Sequence, residues 1–132
     1  MPPIVGVLET SLYVSDLPRA IAFYRDVLGL RLIDQFEGGR GAAFAAGASV
    51  LLLFRADLCS TMQNFVPHGA TGPGHIAFHV SPKEFENWRQ HLGQHGIKIE
   101  KEISFHDQPP SIYFRDPDGN LLELAVPEIW KL

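Results

Sequence analysis

The sequence predicts an α+β fold built from two copies of a strand–helix–three-strand (βαβββ) module. Three observations support this prediction. Apolar and polar side chains alternate in several short segments, which is the period of a half-buried strand. Two longer segments carry helix start and stop signals. The order of one strand, one helix and three strands occurs twice along the 132 residues.

The first predicted strand, residues 7–14, separates its side chains into two faces. Leu12 and Val14 lie on one face, whereas Glu9 and Tyr13 lie on the other. A helix normally covers the apolar face of such a strand. We therefore expect Glu9 and Tyr13 to point away from the helices, toward a cavity or solvent.

A helix is predicted next, over residues 15–30. Asp16 is a suitable N-cap, Pro18 lies in the first turn, and Gly29 stands where a C-terminal cap belongs. Turn glycines then separate the remaining elements of the module. These are strand-like segments over residues 30–36, 41–46 and 49–54.

The second module repeats this order. Its first strand, residues 74–80, carries His75 and His79 on one face. The helix that follows begins at Ser81, and Glu84 stands three residues later, which is the spacing of a capping box. This helix is predicted over residues 81–96, and strands are predicted over residues 97–103, 111–115 and 120–126.

The two modules can be overlaid on one another. A shift of 66 positions aligns their first strands and carries Glu9 onto His75. A shift of 71 positions aligns their last strands and carries Leu52 onto Glu123. We predict a single domain over residues 1–132, with module one at about 5–56, a linker at about 57–73 and module two at about 74–127.

Composition excludes several classes of function. The chain is 45% hydrophobic and carries a formal charge of −4 without a basic run, which argues against binding to nucleic acid or to an anionic membrane surface. No apolar run is long enough to span a bilayer. Cys59 is the single cysteine and cannot form an internal disulfide. These features predict a soluble cytoplasmic protein.

Glu9, His75 and Glu123 each interrupt a largely apolar strand. If the modules pair about a pseudo-twofold axis, the three side chains project into one concave sheet surface. Burying such groups without partners costs several kcal/mol, and a divalent cation is one partner that offsets this cost. Two carboxylates and one imidazole suit Zn, Ni, Mn, Fe(II) or Co, and such an ion can polarise a chelating substrate oxygen.

Three segments, ETSLYVSDLPRAIAFYRDVLGL, GPGHIAFHV and IYFRDPDGNLLEL, resemble the vicinal oxygen chelate (VOC) superfamily. This group includes glyoxalase I, bleomycin-resistance proteins, fosfomycin-resistance proteins and extradiol dioxygenases. The resemblance implies that the two modules form an open half-barrel sheet cleft, the glyoxalase/bleomycin resistance/dihydroxybiphenyl dioxygenase fold. It also implies a homodimer, and a metal-dependent lyase, isomerase or dioxygenase-like enzyme whose substrate chelates the metal through vicinal oxygens.

The family's metal ligands fall on Glu9, His75 and Glu123. His75 and Glu123 agree with the family pattern, whereas many relatives have His where Glu9 stands. This departure argues against extradiol dioxygenase and fosfomycin-type activity, and the chain also lacks a rich basic cluster for a phosphonate. A further position, which holds another metal ligand in glyoxalase I, falls on Leu52. This argues against true glyoxalase I activity, because Leu neither binds metal nor abstracts a proton.

Further candidates share a face with these residues or lie on a nearby loop. His79 and His68 are candidates for acid–base catalysis, although His79 can instead be a partly buried structural imidazole and His68 a mobile surface residue. Aromatic candidates for substrate binding can instead be core filling, and a candidate arginine can instead pair with Asp116 or Asp118. The substrate-binding candidates are Tyr13, Leu52, Phe54, Tyr113 and Arg115.

Each metal-ligand assignment has a structural alternative. Glu9 can be a solvated residue near a strand end or can form a salt bridge, for example with Arg115. His75 can be a hydrogen-bonded residue that closes the glycine loop, and Glu123 can be a charge on a wet strand face. Two other functions also remain open. One is a metal-free, bleomycin-resistance-like protein that sequesters a small molecule. The other is a degenerate module that only binds a partner, which Leu52 favours.

Overall fold

The structure is a computed structural model that describes residues 1–63 and 65–130. The chain divides into two compact units, Met1–Gly72 and Pro73–Leu132. Each unit contains one four-stranded sheet and follows the βαβββ order. The predicted α+β class and the duplicated module are therefore confirmed. No helix in the described part of the chain is both long and apolar enough to cross a membrane.

The first unit has a mixed sheet with the strand order β1-β4-β3-β2. Its strands are β1 (Glu9–Val14), β2 (Arg31–Gln35), β3 (Gly41–Ala46) and β4 (Ser49–Arg55), and its helices are α1 (Leu17–Asp26) and α2 (Ala56–Cys59). β1 and β4 pair in parallel, whereas the other neighbours are antiparallel. A parallel pair needs a crossover connection, which α1, β2 and β3 supply.

The ends of α1 follow from local sequence. The Asp16 carboxylate accepts a hydrogen bond of 3.1 Å from the backbone N–H of Arg19, as predicted for an N-cap. The helix ends at Asp26 with Val27 as its cap, slightly before the predicted end. Gly29 then takes a φ of +68°, a left-handed conformation that glycine adopts without strain and that turns the chain into β2.

The apolar face of the first sheet packs against α1. Tyr24 of the helix and Phe44 of β3 are both fully buried, and their ring centroids lie 6.1 Å apart. Leu12, Leu51 and Leu53 alternate along their strands onto this same buried face. The alternate residues of these strands, including Glu9, Tyr13 and Leu52, therefore lie on the opposite face.

The second unit repeats this topology with the order β5-β8-β7-β6. Its elements are β5 (His75–His79), α3 (Phe85–Gln94), β6 (Lys101–Ile103), β7 (Ser111–Arg115) and β8 (Leu121–Ala125). β5 and β8 pair in parallel, as β1 and β4 do. A short 3₁₀ turn over Pro82–Glu84 precedes α3, and another over Pro127–Trp130 follows β8 at the end of the described chain.

Strand register confirms the predicted overlay of the two modules. In the first unit Glu9 lies opposite Val50 and Ser11 lies opposite Leu52. In the second unit His75 lies opposite Leu121 and Ala77 lies opposite Glu123. The pairs are related by the same two shifts, 66 and 71 positions, that align the sequences. Glu9 and His75 are therefore equivalent positions, and so are Leu52 and Glu123.

The predicted capping box at Ser81 is wrong. The Ser81 side chain makes no capping hydrogen bond, because the first turn is 3₁₀ rather than α-helical. In this turn the backbone N–H of Glu84 already donates to the Ser81 carbonyl oxygen at 2.9 Å, so no orphan donor is left there for the hydroxyl. The Glu84 carboxylate instead accepts a hydrogen bond from Asn87.

The predicted strand over residues 97–103 is shorter than expected. Only Lys101–Ile103 pair as a strand. Residues before it complete the end of α3, since Gly96 takes a φ of +68° and the N–H of Ile97 donates to the Leu92 carbonyl. Carbonyl groups at the end of a helix need such donors, which takes these residues away from the sheet.

The predicted linker over residues 57–73 is not a free connection. It contains most of α2 and belongs almost entirely to the first unit. Cys59 is fully buried in a cluster with Ala43, Leu52 and Phe54, and Met62 packs against that cluster. This segment therefore covers part of the sheet face that carries Leu52, and Cys59 is a core residue of the cluster.

We expect Gly41→Ala to destabilise the protein, because β3 passes too close to β4 for a side chain. A Cβ at Gly41 would lie 2.6 Å from the Leu53 carbonyl oxygen and 2.6 Å from a Phe54 ring carbon. The overpacking should lower the free energy of unfolding by about 1–3 kcal/mol, measured by urea denaturation.

Gly93→Ala is the matched control, since a Cβ built at this position in α3 meets no atom within 4 Å beyond its chain neighbours and the backbone of its own helix. Replacing a helical glycine by alanine should raise the free energy of unfolding by about 0.5–1 kcal/mol. Equal effects of the two substitutions would contradict the strand packing described for Gly41.

Candidate functional site

His75 and Glu123 form a close pair on neighbouring strands of the second unit. Nε2 of His75 lies 3.3 Å from Oε2 of Glu123. The imidazole is 48% exposed, whereas the Glu123 side chain is only 8% exposed. The structure thus brings together two of the three predicted metal ligands, one accessible and one buried.

The orientation of the His75 ring is fixed by the backbone. Nδ1 lies 3.0 Å from the carbonyl oxygen of Leu121. A carbonyl only accepts hydrogen bonds, so Nδ1 carries the hydrogen and, in the neutral ring, Nε2 presents a lone pair. That lone pair and the Glu123 carboxylate are both acceptors, and a positive species between them, either a proton or a metal ion, relieves their repulsion.

Tyr113 completes this group from β7. It lies directly opposite Glu123 in the strand register, and its ring lies 6.4 Å from that of His75 with an interplanar angle of 22°. Burial raises the pKa of Tyr113 to about 12, with further contributions from the hydrogen bond and the negative charge of Glu123. Tyr113 therefore stays protonated over the ordinary pH range and serves as a hydrogen-bond donor.

The burial of Glu123 contradicts its alternative interpretation as a charge on a wet strand face. Glu123 as a whole residue is 6% exposed, and the other residues of β8 are also largely buried. A carboxylate in such a place costs several kcal/mol unless it is paired. His75 and Tyr113 are the partners that the structure supplies.

A buried amide fixes the backbone immediately before His75. The side-chain oxygen of Asn120 accepts a hydrogen bond of 2.7 Å from the N–H of Gly74, and its Nδ2 donates to Asp116 at 2.9 Å. Asn120 is 2% exposed. The predicted turn over residues 116–120 therefore also positions the start of β5, a role that the turn-forming sequence did not reveal because the partner lies 46 positions away.

The first unit contains a cleft of about 320 Å³ on the face of the sheet opposite α1. Four residues predicted to take part in the site line this cleft: Glu9, Leu52, Phe54 and His68. Most of the remaining lining is apolar, which is typical of small-molecule sites. Glu9 therefore lies in a cavity of its own unit, as the strand alternation predicted.

A hydrogen bond holds the loop of His68 against the sheet. The Tyr13 hydroxyl lies 2.6 Å from Nδ1 of His68, and the His68 ring meets the Phe54 ring edge-on at a centroid distance of 4.6 Å. Burial raises the pKa of Tyr13, with a smaller contribution from Cys59. His68 is thus partly buried, with partners in the wall of the cleft.

Arg40 is a residue of this cleft that the sequence analysis missed. Its guanidinium carbon lies 5.2 Å from the ring centroid of Phe36 and 4.7 Å from that of Phe65. Such cation–π contacts contribute about 0.5–1 kcal/mol each at exposed sites. The signal in the sequence was a single cation between glycines at the start of β3 rather than a cluster of basic residues.

His79 lies on β5 on the same face as His75, opposite Ala125 in the register. It is exposed, so the alternative of a partly buried structural imidazole is wrong. An accessible imidazole on this face can exchange protons with a bound molecule. Its role in acid–base catalysis stays a prediction.

Arg115 has a different partner from those expected. Its guanidinium donates to Glu100 at 2.7 and 3.3 Å and to the Gly119 carbonyl at 3.0 Å. The hydrogen bond from Arg115 lowers the pKa of Glu100, and the Glu100 carboxylate raises that of Arg115. Pairing with Asp116, Asp118 or Glu9 is therefore not observed, and contact with a substrate would require Arg115 to share this ion pair.

Within residues 1–63 and 65–130, no group of three or more His, Cys, Asp or Glu side chains is arranged to hold a metal ion. The second unit contributes the pair His75 and Glu123, and Glu9 belongs to the first unit. The three-ligand set of Glu9, His75 and Glu123 therefore stays a prediction.

Comparison with known proteins gives one family match and several similar chains. A profile of the Glyoxalase/Bleomycin resistance protein/Dioxygenase superfamily matches residues 6–124. Glutathione transferase FosA from Serratia marcescens is 33% identical over 116 residues, which are 88% of this chain and 77% of that protein. Metallothiol transferase FosB from Staphylococcus epidermidis is 32% identical over 123 residues, which are 92% of this chain and 83% of that protein.

A solved structure also resembles this chain along nearly its whole length. The crystal structure of lactoylglutathione lyase from Agrobacterium tumefaciens superposes with a TM-score of 0.90 at 35% sequence identity. The superposition covers 97% of this chain and 98% of the lyase. The duplicated βαβββ fold is therefore shared with that protein.

Glu123→Gln should lower the pKa of Tyr113, because it removes the negative charge that disfavours tyrosinate. In the unchanged protein Tyr113 should ionise near pH 12. Ultraviolet absorbance of tyrosinate measures this titration, and Tyr113→Phe identifies the signal among the three tyrosines.

The raised pKa also sets a direction for stability. The folded state holds the Tyr113 proton more tightly than the unfolded chain, so this contribution is complete below pH 10 and is lost as the pH rises toward 12. Glu128→Gln is the control, since Glu128 is exposed and is absent from the causes of the Tyr113 shift. A titration of Tyr113 that Glu123→Gln leaves unchanged would contradict the contact.

Proposed function

The chain belongs to the Glyoxalase/Bleomycin resistance protein/Dioxygenase superfamily, and from this premise we propose that it is a divalent-metal-dependent enzyme that acts on a small substrate. The observation that carries the proposal is the His75–Glu123 pair. Its imidazole nitrogen faces a carboxylate oxygen at 3.3 Å, with the other ring nitrogen fixed on a backbone carbonyl. Metal-binding histidines are commonly oriented in this way.

The residues present fit a divalent cation. His75 offers one imidazole nitrogen and Glu123 one buried carboxylate, and we propose Glu9 as the third ligand. This nitrogen and oxygen donor set suits Mn, Fe(II), Co, Ni or Zn. When bound, such an ion supplies Lewis acidity toward a chelating substrate oxygen.

Side chains around the pair would orient the reacting groups. Tyr113 keeps its proton to about pH 12 and donates hydrogen bonds, so it would steady the Glu123 carboxylate rather than act as a base. His79 is exposed on the same strand face as His75 and is our candidate for moving a proton to or from the substrate. Leu52, at the position equivalent to Glu123, has no side-chain group that could bind a metal or move a proton.

The reaction class that we favour involves a thiol or thioester. The names of FosA, FosB and the Agrobacterium protein refer to glutathione, a thiol and lactoylglutathione. These names support transfer or lyase chemistry with a thiol-containing co-substrate. We further propose a cytoplasmic location, supported by the free thiol of Cys59. We also propose a homodimer, because dimers are common in this superfamily.

A metal-free binding protein is the second candidate. The aromatic walls of the first-unit cleft, Phe36, Phe54 and Phe65, favour it, since such walls hold small apolar molecules without catalysis. Metal analysis separates the two candidates, because only the enzyme requires His75 and Glu123 to retain an ion.

Protein purified without chelators should contain roughly one divalent ion per chain by mass spectrometry. His75→Ala and Glu123→Gln should each weaken metal affinity at least about 10- to 100-fold, because each removes a direct ligand. Glu9→Gln tests the third ligand in the same assay. Circular dichroism of each variant shows whether the fold is retained.

His106→Asn is the matched control, because His106 is exposed outside the helices and strands and its φ of +52° is a conformation that Asn tolerates. It should leave the metal content unchanged. Protein that binds no divalent ion above this background, or folded His75→Ala protein that keeps its ion, would reject the enzyme and favour the binding protein.

A further inference from the structure

Arg40 differs from the arginines that form ion pairs. No carboxylate among the residues that the structure describes pairs with its guanidinium, although Glu9 lines the same cleft. Its contacts are instead the rings of Phe36 and Phe65. Ion pairs occupy the guanidinium groups of Arg25, Arg55, Arg89 and Arg115.

The position of Arg40 is fixed by its backbone. Its carbonyl oxygen accepts a hydrogen bond of 2.8 Å from the N–H of Arg55 and a longer contact of 3.8 Å from the Cys59 thiol. These partners come from the end of β4 and from α2. The side chain therefore starts from an ordered point at the rim of the cleft, and ring contacts hold its far end.

This arrangement leaves the hydrogen-bonding capacity of Arg40 available. A guanidinium over an aromatic ring face keeps its N–H donors in its own plane, and these donors match the two oxygens of a carboxylate or phosphonate. The surrounding walls include Leu52, Phe54 and Val66, which offer apolar contact. One cation at the rim of an apolar cleft matches an amphipathic anion in charge and in apolar surface.

We propose that Arg40 binds the anionic group of a small organic acid whose apolar part lies in the first-unit cleft. The proposal deepens the proposed function and rests on it for the identity of the ligand as a substrate. The cleft volume of about 320 Å³ corresponds to about ten water molecules. The part of the organic acid that the cleft can cover is therefore small, comparable to one aromatic ring with its acidic group.

Glu9 gives this cleft a second polar group of opposite sign. A carboxylate beside a bound anion is unfavourable unless a cation or a hydrogen-bond donor separates them. Arg40 therefore selects the acidic end of the ligand, and Glu9 disfavours an acidic group at its own end. In the metal-free protein the cleft thus favours a molecule with one acidic end over a diacid, whereas a cation bound at Glu9 would remove this repulsion.

Isothermal titration of metal-free protein with three probes tests the proposal. The probes are benzoate, phenylphosphonate and the neutral isostere benzamide. We expect at least one of the two anions to bind about 10- to 100-fold more tightly than benzamide, as expected for a charged hydrogen-bonded pair. The two anions show whether a carboxylate or a phosphonate fits the guanidinium better.

Arg40→Gln should abolish the preference for the anion, and Arg40→Lys should retain part of it because the charge remains without the planar fork. Arg31→Gln, an exposed residue of β2, removes the same charge outside the cleft and should change nothing. Anion binding that survives in folded Arg40→Gln, or equal binding of benzamide in the unchanged protein, would overturn the proposal.

These outcomes are separate from those of the metal experiment. Anion binding is measured without metal, so loss of the proposed ion from His75 and Glu123 leaves it intact. Anion selectivity without any metal binding would support the Arg40 site and reject the metal-dependent enzyme. Metal binding without anion selectivity would reject the Arg40 site alone.

Discussion

Nε2 of His75 and Oε2 of Glu123 lie 3.3 Å apart because parallel strands hold them in register and the Leu121 carbonyl fixes the imidazole ring. The buried Glu123 carboxylate alone would be unfavourable, whereas the His75 imidazole is 48% exposed and remains accessible. Much of the second unit serves this contact. Tyr113 borders the carboxylate, and Asn120 anchors the residue before His75 through the N–H of Gly74.

The two units show how one topology supports different chemistry. Their strand registers are equivalent, yet the position of Glu123 in the second unit is Leu52 in the first. Leu52 is buried with Cys59 in an apolar cluster, so the first unit cannot form the same pair with Glu9. It forms a cleft instead. Duplication of the fold therefore fixes where side chains project, and their identity decides whether a position serves coordination or packing.

Strand alternation and helix caps were sufficient to predict the order of elements, the overlay of the modules and the shared face of His75 and Glu123. These features depend on residues near in sequence or on strict periodicity. The sequence did not reveal the roles of Arg40 or Asn120, because their partners are set by tertiary packing. The capping box at Ser81 failed for a related reason, since a 3₁₀ turn satisfied the backbone first. Nothing in the composition of residues 57–73 indicated that Cys59 would be a core residue.

The origin of the cleft-lining side chains bears on how this protein can evolve. Phe36, Arg40 and Phe65 come from connecting segments rather than from the interior of strands. Connecting segments tolerate exchange better than paired strands do, because no hydrogen-bonded ladder depends on them. Substitutions in these loops can therefore change what the first-unit cleft binds without disturbing the pair on β5 and β8.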